Sequence, residues 1–158
     1  MRYFLGIEVI QSDIGIFICQ RHYAREMLAR FNMTEFNPVC NPIVSGTVLS
    51  KDDEGTLVDA TKFKQVVGSL MYLTVTQLDV MFRGSLINRY MATPKASHLA
   101  TTKQILRYVK GTIEYSILYQ KGGKTKITAY SDSNYDGDLD DRQNTYGAIF
   151  IIGSGVIS

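Results

Sequence analysis

Residues 130–142 of the chain read Tyr-Ser-Asp-Ser-Asn-Tyr-Asp-Gly-Asp-Leu-Asp-Asp-Arg, and they separate two apolar segments. Five of the fifteen acidic residues of the chain fall within residues 132–141. The flanking segments, residues 126–130 and 146–152, are rich in β-branched and aromatic residues, which predicts β-strands. We therefore expect a C-terminal β-hairpin with carboxylates concentrated between its strands, and such a concentration indicates a site arranged around positive charge.

One interpretation of the acidic stretch is a calcium-binding loop. The residues that match the opening of an EF-hand loop are Asp132, Asn134, Asp136 and Gly137. The twelfth position of that motif supplies a bidentate glutamate, but it is occupied here by Gln143. An EF-hand also needs a helix on each side of the loop, whereas both flanks are strand-like. A calcium-binding loop protein is retained as an alternative hypothesis.

A second interpretation of the same stretch is a nuclease site, and it comes from a resemblance. Residues 130–132, 136–138 and 140–142 are similar to the start of the ribonuclease H domain in copia-type retrotransposon polyproteins. The resemblance implies that Asp132 is the first metal-binding carboxylate of the nuclease and that the intact parent enzyme uses Mg²⁺. Ribonuclease H cleavage uses two divalent ions held by several carboxylates. One carboxylate alone is expected to bind Mg²⁺ only weakly, and Asp138 is expected in a solvated turn.

Length and composition indicate an ordinary globular protein. The chain has 158 residues, of which 45% are hydrophobic and 20% are charged. No apolar run approaches the roughly 18 residues of a membrane span, and Gly6 and Glu8 interrupt the apolar start, so we expect neither a membrane partner nor a signal peptide. Cys19 and Cys40 form no CxxC or Cys/His cluster. These features predict an intracellular location, cytoplasmic or nuclear.

Basic residues are unevenly distributed along the chain. Between Asp79 and Glu114 there is no acidic residue. The basic residues in this interval are Arg83, Arg89, Lys95, Lys103, Arg107 and Lys110. A basic interval of this kind suits contacts with a phosphate backbone, and it equally suits an amphipathic helix with a lysine-rich exterior. A non-catalytic nucleic-acid-binding module is therefore another alternative hypothesis.

The predicted fold class is α+β. Residues 3–10 and 16–19 read as the strands of an N-terminal β-hairpin, with turn residues between them. Residues 34–60 are rich in turn signals and polar residues, which predicts a linker. The middle of the chain is predicted to be helical, and the C-terminal β-hairpin resembles the first strands of a ribonuclease H fold, with the rest of that fold lacking.

Apolar residues at helical spacing predict four helices in the middle of the chain. One covers residues 20–33 and a second begins at residue 61. A third runs from its N-cap Asp79 to residue 90, and a fourth has Pro94 in its first turn and ends at Gly111. His98 lies in this fourth helix and has no visible partner for general-base chemistry. We therefore expect a capping or packing role for His98.

The family resemblance extends from about residue 2 to residue 158. Residues 3–9 are similar to the hairpin that follows the palm of copia-type reverse transcriptases and supports the primer terminus, which implies that Leu5 and Gly6 position the primer. Residues 67–74 and 105–112 are similar to the connection region of the same family.

Four basic residues complete the predicted nucleic-acid contacts. Arg25 lies on the helix that corresponds to the start of the thumb, where the resemblance implies contact with the template–primer backbone. Lys103, Arg107 and Lys110 are spaced by four and three residues, which places them in one stripe along the fourth predicted helix. The implied partner in the parent protein is an RNA–DNA hybrid or a primer–template duplex.

The resemblance implies that the chain divides into four segments, which correspond to different parts of the polyprotein. Residues 1–33 correspond to the end of the reverse transcriptase, with the primer-supporting hairpin and the thumb-like helix. Residues 34–60 are a linker, residues 61–118 a helical connection, and residues 119–158 a truncated start of ribonuclease H. The Tyr-x-Asp-Asp turn of the polymerase and the partner glutamate of the nuclease match no position here. We expect a fragment of a reverse transcriptase and ribonuclease H polyprotein, inactive alone, with upstream and downstream segments missing.

Overall fold

The computed structural model describes residues 2–44, 46–47, 49–51, 54–122, 127–134, 145–152 and 155–156. The described elements, in chain order, are β1 (Arg2–Phe4), β2 (Ile7–Gln11), β3 (Gly15–Cys19), α1 (Arg21–Arg30), α2 (Ala60–Leu73), a 3₁₀ turn (Leu78–Val80), α3 (Met81–Asn88), α4 (Ala96–Gly111), β4 (Ile117–Gln120), β5 (Ile127–Asn134), β6 (Thr145–Ile152) and β7 (Gly155–Val156). The predicted α+β class is confirmed. None of the described helices is long and apolar enough to cross a membrane.

The chain forms two compact units. One, called the strand unit below, comprises Met1–Cys19 and Ser116–Ser158, and the other, the helical unit, comprises Gln20–Tyr115. These units cut across the four predicted segments, because the N-terminal strands and the first helix fall in different units. The assignment of the four segments to parts of a larger protein stays a prediction.

The first sheet of the strand unit has the order β1-β2-β3-β4, with every neighbouring pair antiparallel. The single strand predicted over residues 3–10 is wrong in one respect, because the chain turns back between β1 and β2. Leu5 and Gly6 have φ values of 48° and 75° at this turn. Such positive φ values suit a two-residue hairpin turn, and glycine adopts them without steric cost.

Strand β4 joins β3 although about a hundred residues separate them in sequence. Ile18 lies opposite Ile117, and Gly15 lies opposite Gln120. A Cβ atom added at Gly15 would come within 2.3 Å of the backbone oxygen of Tyr119. Only glycine therefore allows the close approach of β3 and β4 at this end of the sheet.

The second sheet has the order β5-β6-β7 and contains the predicted C-terminal hairpin. β5 and β6 pair antiparallel from Ile127 opposite Ile152 to Asn134 opposite Thr145. This confirms strands on both sides of the acidic stretch. Residues 135–144, which hold the rest of that stretch, lie outside the described residues.

The helical unit is built around an apolar core from α1, α2 and α4. Its fully buried side chains include Met27, Leu28, Phe63, Val67, Leu70, Ile105, Leu106 and Val109. Burial of each such side chain contributes about 1.5–3 kcal/mol to the free energy of folding. The predicted helices over residues 20–33, from residue 61 and up to Gly111 are confirmed, with small differences at their ends.

The ends of α1 and α2 are stabilised by backbone groups and one carboxylate. Beyond the end of α1, Asn32 has a φ of 55°, and the N–H of Met33 donates to the carbonyl of Leu28 at 2.8 Å. This is the Schellman arrangement, which satisfies carbonyls that a helix end leaves free. At the start of α2, Asp59 Oδ1 accepts from the N–H groups of Thr61 at 2.9 Å and Lys62 at 3.2 Å.

Two predicted helix starts are wrong. The N-cap of α3 is Val80, and Asp79 instead accepts a hydrogen bond from the hydroxyl of Tyr108. α4 begins at Ala96 after its N-cap Lys95, so Pro94 precedes the helix and is not in its first turn. Asp79 is thus engaged by a contact with a distant part of the chain, which local sequence signals do not show.

Candidate nucleic-acid interface

The predicted basic stripe on α4 does not face solvent along its whole length. Lys103 is exposed, whereas Arg107 and Lys110 are half-buried. Arg107 Nε donates to the carbonyl of Asn37 at 2.8 Å. Lys110 Nζ donates to the carbonyls of Thr34 at 2.5 Å and of Phe36 at 2.8 Å. Two of the three cations in the stripe thus hold the backbone of residues 34–37.

The segment from residue 34 to residue 41 continues along the C-terminal half of α4. Gln104 Nε2 donates to the carbonyl of Asn41 at 3.1 Å, and the N–H of Val39 donates to the carbonyl of Arg107 at 3.4 Å. A Cβ atom added at Gly111 would lie 3.3 Å from Pro38 Cβ. The segment has no helix or strand of its own, yet five of its backbone groups bond to α4: the carbonyls of Thr34, Phe36, Asn37 and Asn41 and the N–H of Val39.

His98 plays the corresponding role at the N-terminal end of α4. Its Nδ1 accepts from the N–H of Lys95 at 3.1 Å, and its Nε2 lies 3.1 Å from the carbonyl oxygen of Ser50. Because a carbonyl oxygen can only accept, Nε2 carries the hydrogen and the ring is neutral. The ring is fully buried and stacks on Tyr90, with the ring centroids 3.9 Å apart. The predicted capping or packing role is confirmed, and neither nitrogen is left for general-base chemistry.

The backbone carbonyls of Leu49 and Thr56 also bond to the helices of this unit. The hydroxyl of Tyr90 donates to the carbonyl of Leu49 at 3.0 Å. The N–H of Ala96, at the start of α4, donates to the carbonyl of Thr56 at 2.9 Å.

We call His98, Gln104, Arg107 and Lys110 the anchoring residues, because their side chains contact the carbonyl groups of the segment predicted as a linker.

Arg25, the predicted phosphate contact on α1, is paired with a carboxylate. Its Nη2 lies 2.6 Å from Oε1 of Glu114, while Nη1 of Arg21 lies 3.2 Å from Oε2 of the same residue. The side chain of Arg25 is 59% exposed and that of Glu114 is 64% exposed. Ion pairs this exposed contribute between about 0 and 1 kcal/mol, so a phosphate group is able to compete for Arg25.

Leu5 and Gly6, the predicted primer-positioning residues, form the turn between β1 and β2 in the strand unit. Leu5 is 70% exposed, and its neighbour Phe4 is 72% exposed. Both side chains are thus accessible to solvent at this turn, and the role of Leu5 and Gly6 in positioning a primer stays a prediction.

Asp132, the predicted nuclease carboxylate, lies in β5, where its backbone is paired with Gly147. The described residues include no group of three or more histidine, cysteine, aspartate or glutamate side chains placed to hold a metal ion. Mg²⁺ requires close to octahedral coordination by oxygen. The role of Asp132 as a metal ligand stays a prediction. The flanks of the acidic stretch are strands, so the two helices of an EF-hand are not at this position.

Comparison with known proteins identifies the family. The chain is 37% identical over all 158 residues to the retrovirus-related Pol polyprotein from transposon RE1 of Arabidopsis thaliana and covers 11% of that protein. It is 30% identical over 165 aligned residues to the Pol polyprotein from transposon TNT 1-94 of Nicotiana tabacum, where it covers 12%. The chain belongs to the copia-type Pol polyproteins.

A third relative of this Pol chain is shorter. It is an uncharacterized mitochondrial protein of Arabidopsis thaliana, 30% identical over 158 residues, and the chain covers 65% of its length. The chain spans about a tenth of the polyproteins that it matches. No family model matches the sequence, and no solved structure matches it.

The structure of this Pol chain also brings together three cations that sequence reasoning did not group. Arg30 lies at the end of α1, Lys62 in the first turn of α2, and Lys103 on α4, and all three border one pocket. None of the three side chains makes a hydrogen bond or an ion pair with another residue in the described ranges. Because they come from three helices, no spacing in the sequence could have revealed this group.

Proposed function

We propose that this copia-type Pol chain supports nucleic acid within a reverse transcriptase and ribonuclease H polyprotein and has no catalytic activity alone. The observation that carries the proposal is the family membership, which covers the whole chain. The proposed lack of activity rests on the sequence, in which neither the Tyr-x-Asp-Asp turn of the polymerase nor the partner glutamate of the nuclease matches a position.

Lys103 and Arg25 are the phosphate contacts that we propose in the helical unit. Lys103 is exposed and unpartnered within the described residues, and Arg25 has only an exposed ion pair to exchange. Arg107 and Lys110 would have to give up carbonyl oxygens to bind a phosphate. The nucleic-acid contacts expected of Arg107 and Lys110 stay a prediction, and the binding of an RNA–DNA hybrid tests them as well. In the strand unit, Leu5 and Gly6 are proposed to contact the primer terminus.

The test is binding of a fluorescent RNA–DNA hybrid by the full chain at several salt concentrations. Phosphate contacts release counterions, so the affinity should fall steeply as salt rises. Lys103→Gln should weaken binding and reduce the slope of log affinity against log salt by about 1. Lys64→Gln, an exposed substitution on α2, is the matched control and should change neither quantity. Undetectable or salt-independent binding would contradict the proposal.

For the nuclease segment, we propose that Asp132 is a metal ligand only in a longer polypeptide. Two divalent ions need several carboxylates, and one carboxylate cannot hold both. A chain extended with its downstream reading frame should cleave RNA–DNA hybrids, and Asp132→Asn should abolish the cleavage. Asp138→Asn should leave the cleavage largely intact. Equal cleavage by the extended chain and its Asp132→Asn variant would show that Asp132 has another role.

A further inference from the structure

The pocket bordered by Arg30, Lys62 and Lys103 lies within the helical unit and has a volume of about 340 Å³. It opens between the end of α1, the start of α2 and the outer side of α4. Its walls are mainly apolar and include Phe31, Met33, Phe63, Val66, Leu99 and Leu106. An apolar concavity of this size is at the lower end of the range for small-ligand sites, about 300–1,000 Å³, and suits one or two large side chains.

The border of the pocket is positively charged. Three of its four charged residues are the cations Arg30, Lys62 and Lys103, and the fourth is Asp59. The carboxylate of Asp59 is already engaged, because its Oδ1 accepts from two backbone N–H groups at the start of α2. The three cations are free of hydrogen bonds and ion pairs within the described residues, so the border favours an anionic ligand.

The walls favour an apolar group over a nucleobase. Thr102 is the polar residue of the wall that is fully buried, and its hydroxyl donates to the carbonyl of His98 at 2.7 Å. The other polar residues, Asn32 and Gln65, are exposed at the border. A base inserted here would bury its polar edge against carbon, which is costly without compensating hydrogen bonds. An aliphatic or aromatic side chain has no such requirement.

We propose that this pocket binds an acidic peptide segment of a partner protein, with one large apolar side chain in the pocket and flanking carboxylates on Arg30, Lys62 and Lys103. The apolar anchor supplies affinity through burial, and the carboxylates set the orientation of the peptide. This interaction shares Lys103 with the nucleic-acid contacts proposed above, but it differs from them because it requires an apolar anchor, which a phosphate backbone does not carry.

The experiment measures fluorescence anisotropy of a labelled hexapeptide, Asp-Glu-Leu-Phe-Asp-Glu, titrated with the full chain. A second peptide with serine in place of both apolar residues tests the anchor, and we expect it to bind at least about tenfold more weakly. The double variant Lys62→Gln/Lys103→Gln should weaken binding of the first peptide by about fivefold to tenfold. Lys64→Gln should bind like the unchanged chain, since Lys64 does not border the pocket.

Several outcomes would overturn the inference. Equal binding of the two peptides would show that the apolar walls are not used, and equal weakening by Lys64→Gln would show attraction by overall charge only. A second titration uses the RNA–DNA hybrid. If the double variant loses affinity for the hybrid while its affinity for the peptide is unchanged, Lys62 and Lys103 contact nucleic acid and the peptide proposal is wrong. Failure of the hybrid to bind, with peptide binding intact, would contradict only the proposed function. Circular dichroism verifies that each variant is folded.

Discussion

The helical unit contains two groups of basic side chains, histidine included, and only one of the groups is covered by another segment of the chain. The anchoring residues of α4, His98, Arg107 and Lys110 among them, contact backbone carbonyls in residues 34–50. Lys103 lies on the same helix, one turn before Arg107, yet it borders an open pocket together with Arg30 and Lys62. The difference shows that the role of a cation on a helix depends on whether another segment returns to cover it.

Substitutions in the two groups should therefore have different effects. Those in the covered group should lower stability, and those in the pocket group should weaken ligand binding. A carbonyl that is bonded to Arg107 or Lys110 loses its partner if the side chain is removed, and an unpaired polar group away from water is costly. The side chains of Lys62 and Lys103 are exposed and bond to no other described residue, so truncating them should leave the free energy of unfolding almost unchanged.

The largest expected effect is on the fully buried anchor. His98→Ala removes two hydrogen bonds and the stacking on Tyr90, and it leaves a cavity. We expect the free energy of unfolding to fall by about 3 kcal/mol. Urea denaturation followed by circular dichroism measures it, with Lys103→Ala as the exposed control on the same helix. A loss below about 1 kcal/mol would mean that His98 is not an anchor.

A smaller loss is expected for the half-buried anchor Lys110. Lys110→Met keeps most of the aliphatic stem but removes the ammonium that bonds to Thr34 and Phe36. Because these bonds are partly exposed to solvent, we expect a loss of about 1 kcal/mol in the same urea measurement. Lys64→Met, on the exposed side of α2, is the matched control. If both variants lose equal stability, the carbonyl contacts of Lys110 contribute nothing specific.

Tyr108, a neutral residue of α4, donates a hydrogen bond to Asp79, and this contact should depend on pH. The hydrogen bond to Asp79, together with burial, raises the pKa of Tyr108 to about 12 from its ordinary value of 10. A pKa raised by folding means that the contribution of Tyr108 to stability is complete below pH 10 and is lost between pH 10 and 12. The stability difference between the unchanged chain and Tyr108→Phe should therefore be constant from pH 7 to 9 and shrink above pH 10.

The matched control for this pH dependence is Tyr115→Phe, because Tyr115 is 61% exposed and makes no comparable bond to any carboxylate among the described residues. Absorbance titration at alkaline pH provides a second readout. The tyrosine missing from the Tyr108→Phe chain should be one that ionises near pH 12. Loss of a tyrosine that ionises near pH 10 would contradict the assignment.

The smallest effect on stability is expected for the pocket cations. Lys62→Gln and Lys103→Gln should each change the free energy of unfolding by less than about 0.5 kcal/mol, as exposed substitutions usually do. The same two variants are expected to change ligand binding, so stability and binding should respond to different members of one set of cations. A loss of more than about 1 kcal/mol for either variant would remove the distinction between the two groups.

Much of the local structure of this chain could be predicted from its sequence. The period of apolar residues such as Phe63, Val67 and Leu70 indicated α2, and the β-branched runs indicated β5 and β6. The hairpin turn at Leu5-Gly6 was missed, because an apolar run that includes a leucine gives no strong turn signal. The start of α3 was misplaced since Asp79 has the side chain of an N-cap residue but bonds to Tyr108 instead.

The sequence by itself determined the α+β class, the helices and the family, because helical period, strand composition and motif strings depend on residues close together in the chain. Only the tertiary structure decided which cations bond to other groups of the chain. Arg107 and Lys110 find their carbonyl partners 70 to 76 residues away, and Arg30, Lys62 and Lys103 meet only where three helices pack. Such pairings arise when the apolar core brings distant segments together, and the identity of a side chain does not specify which distant segment will cover it.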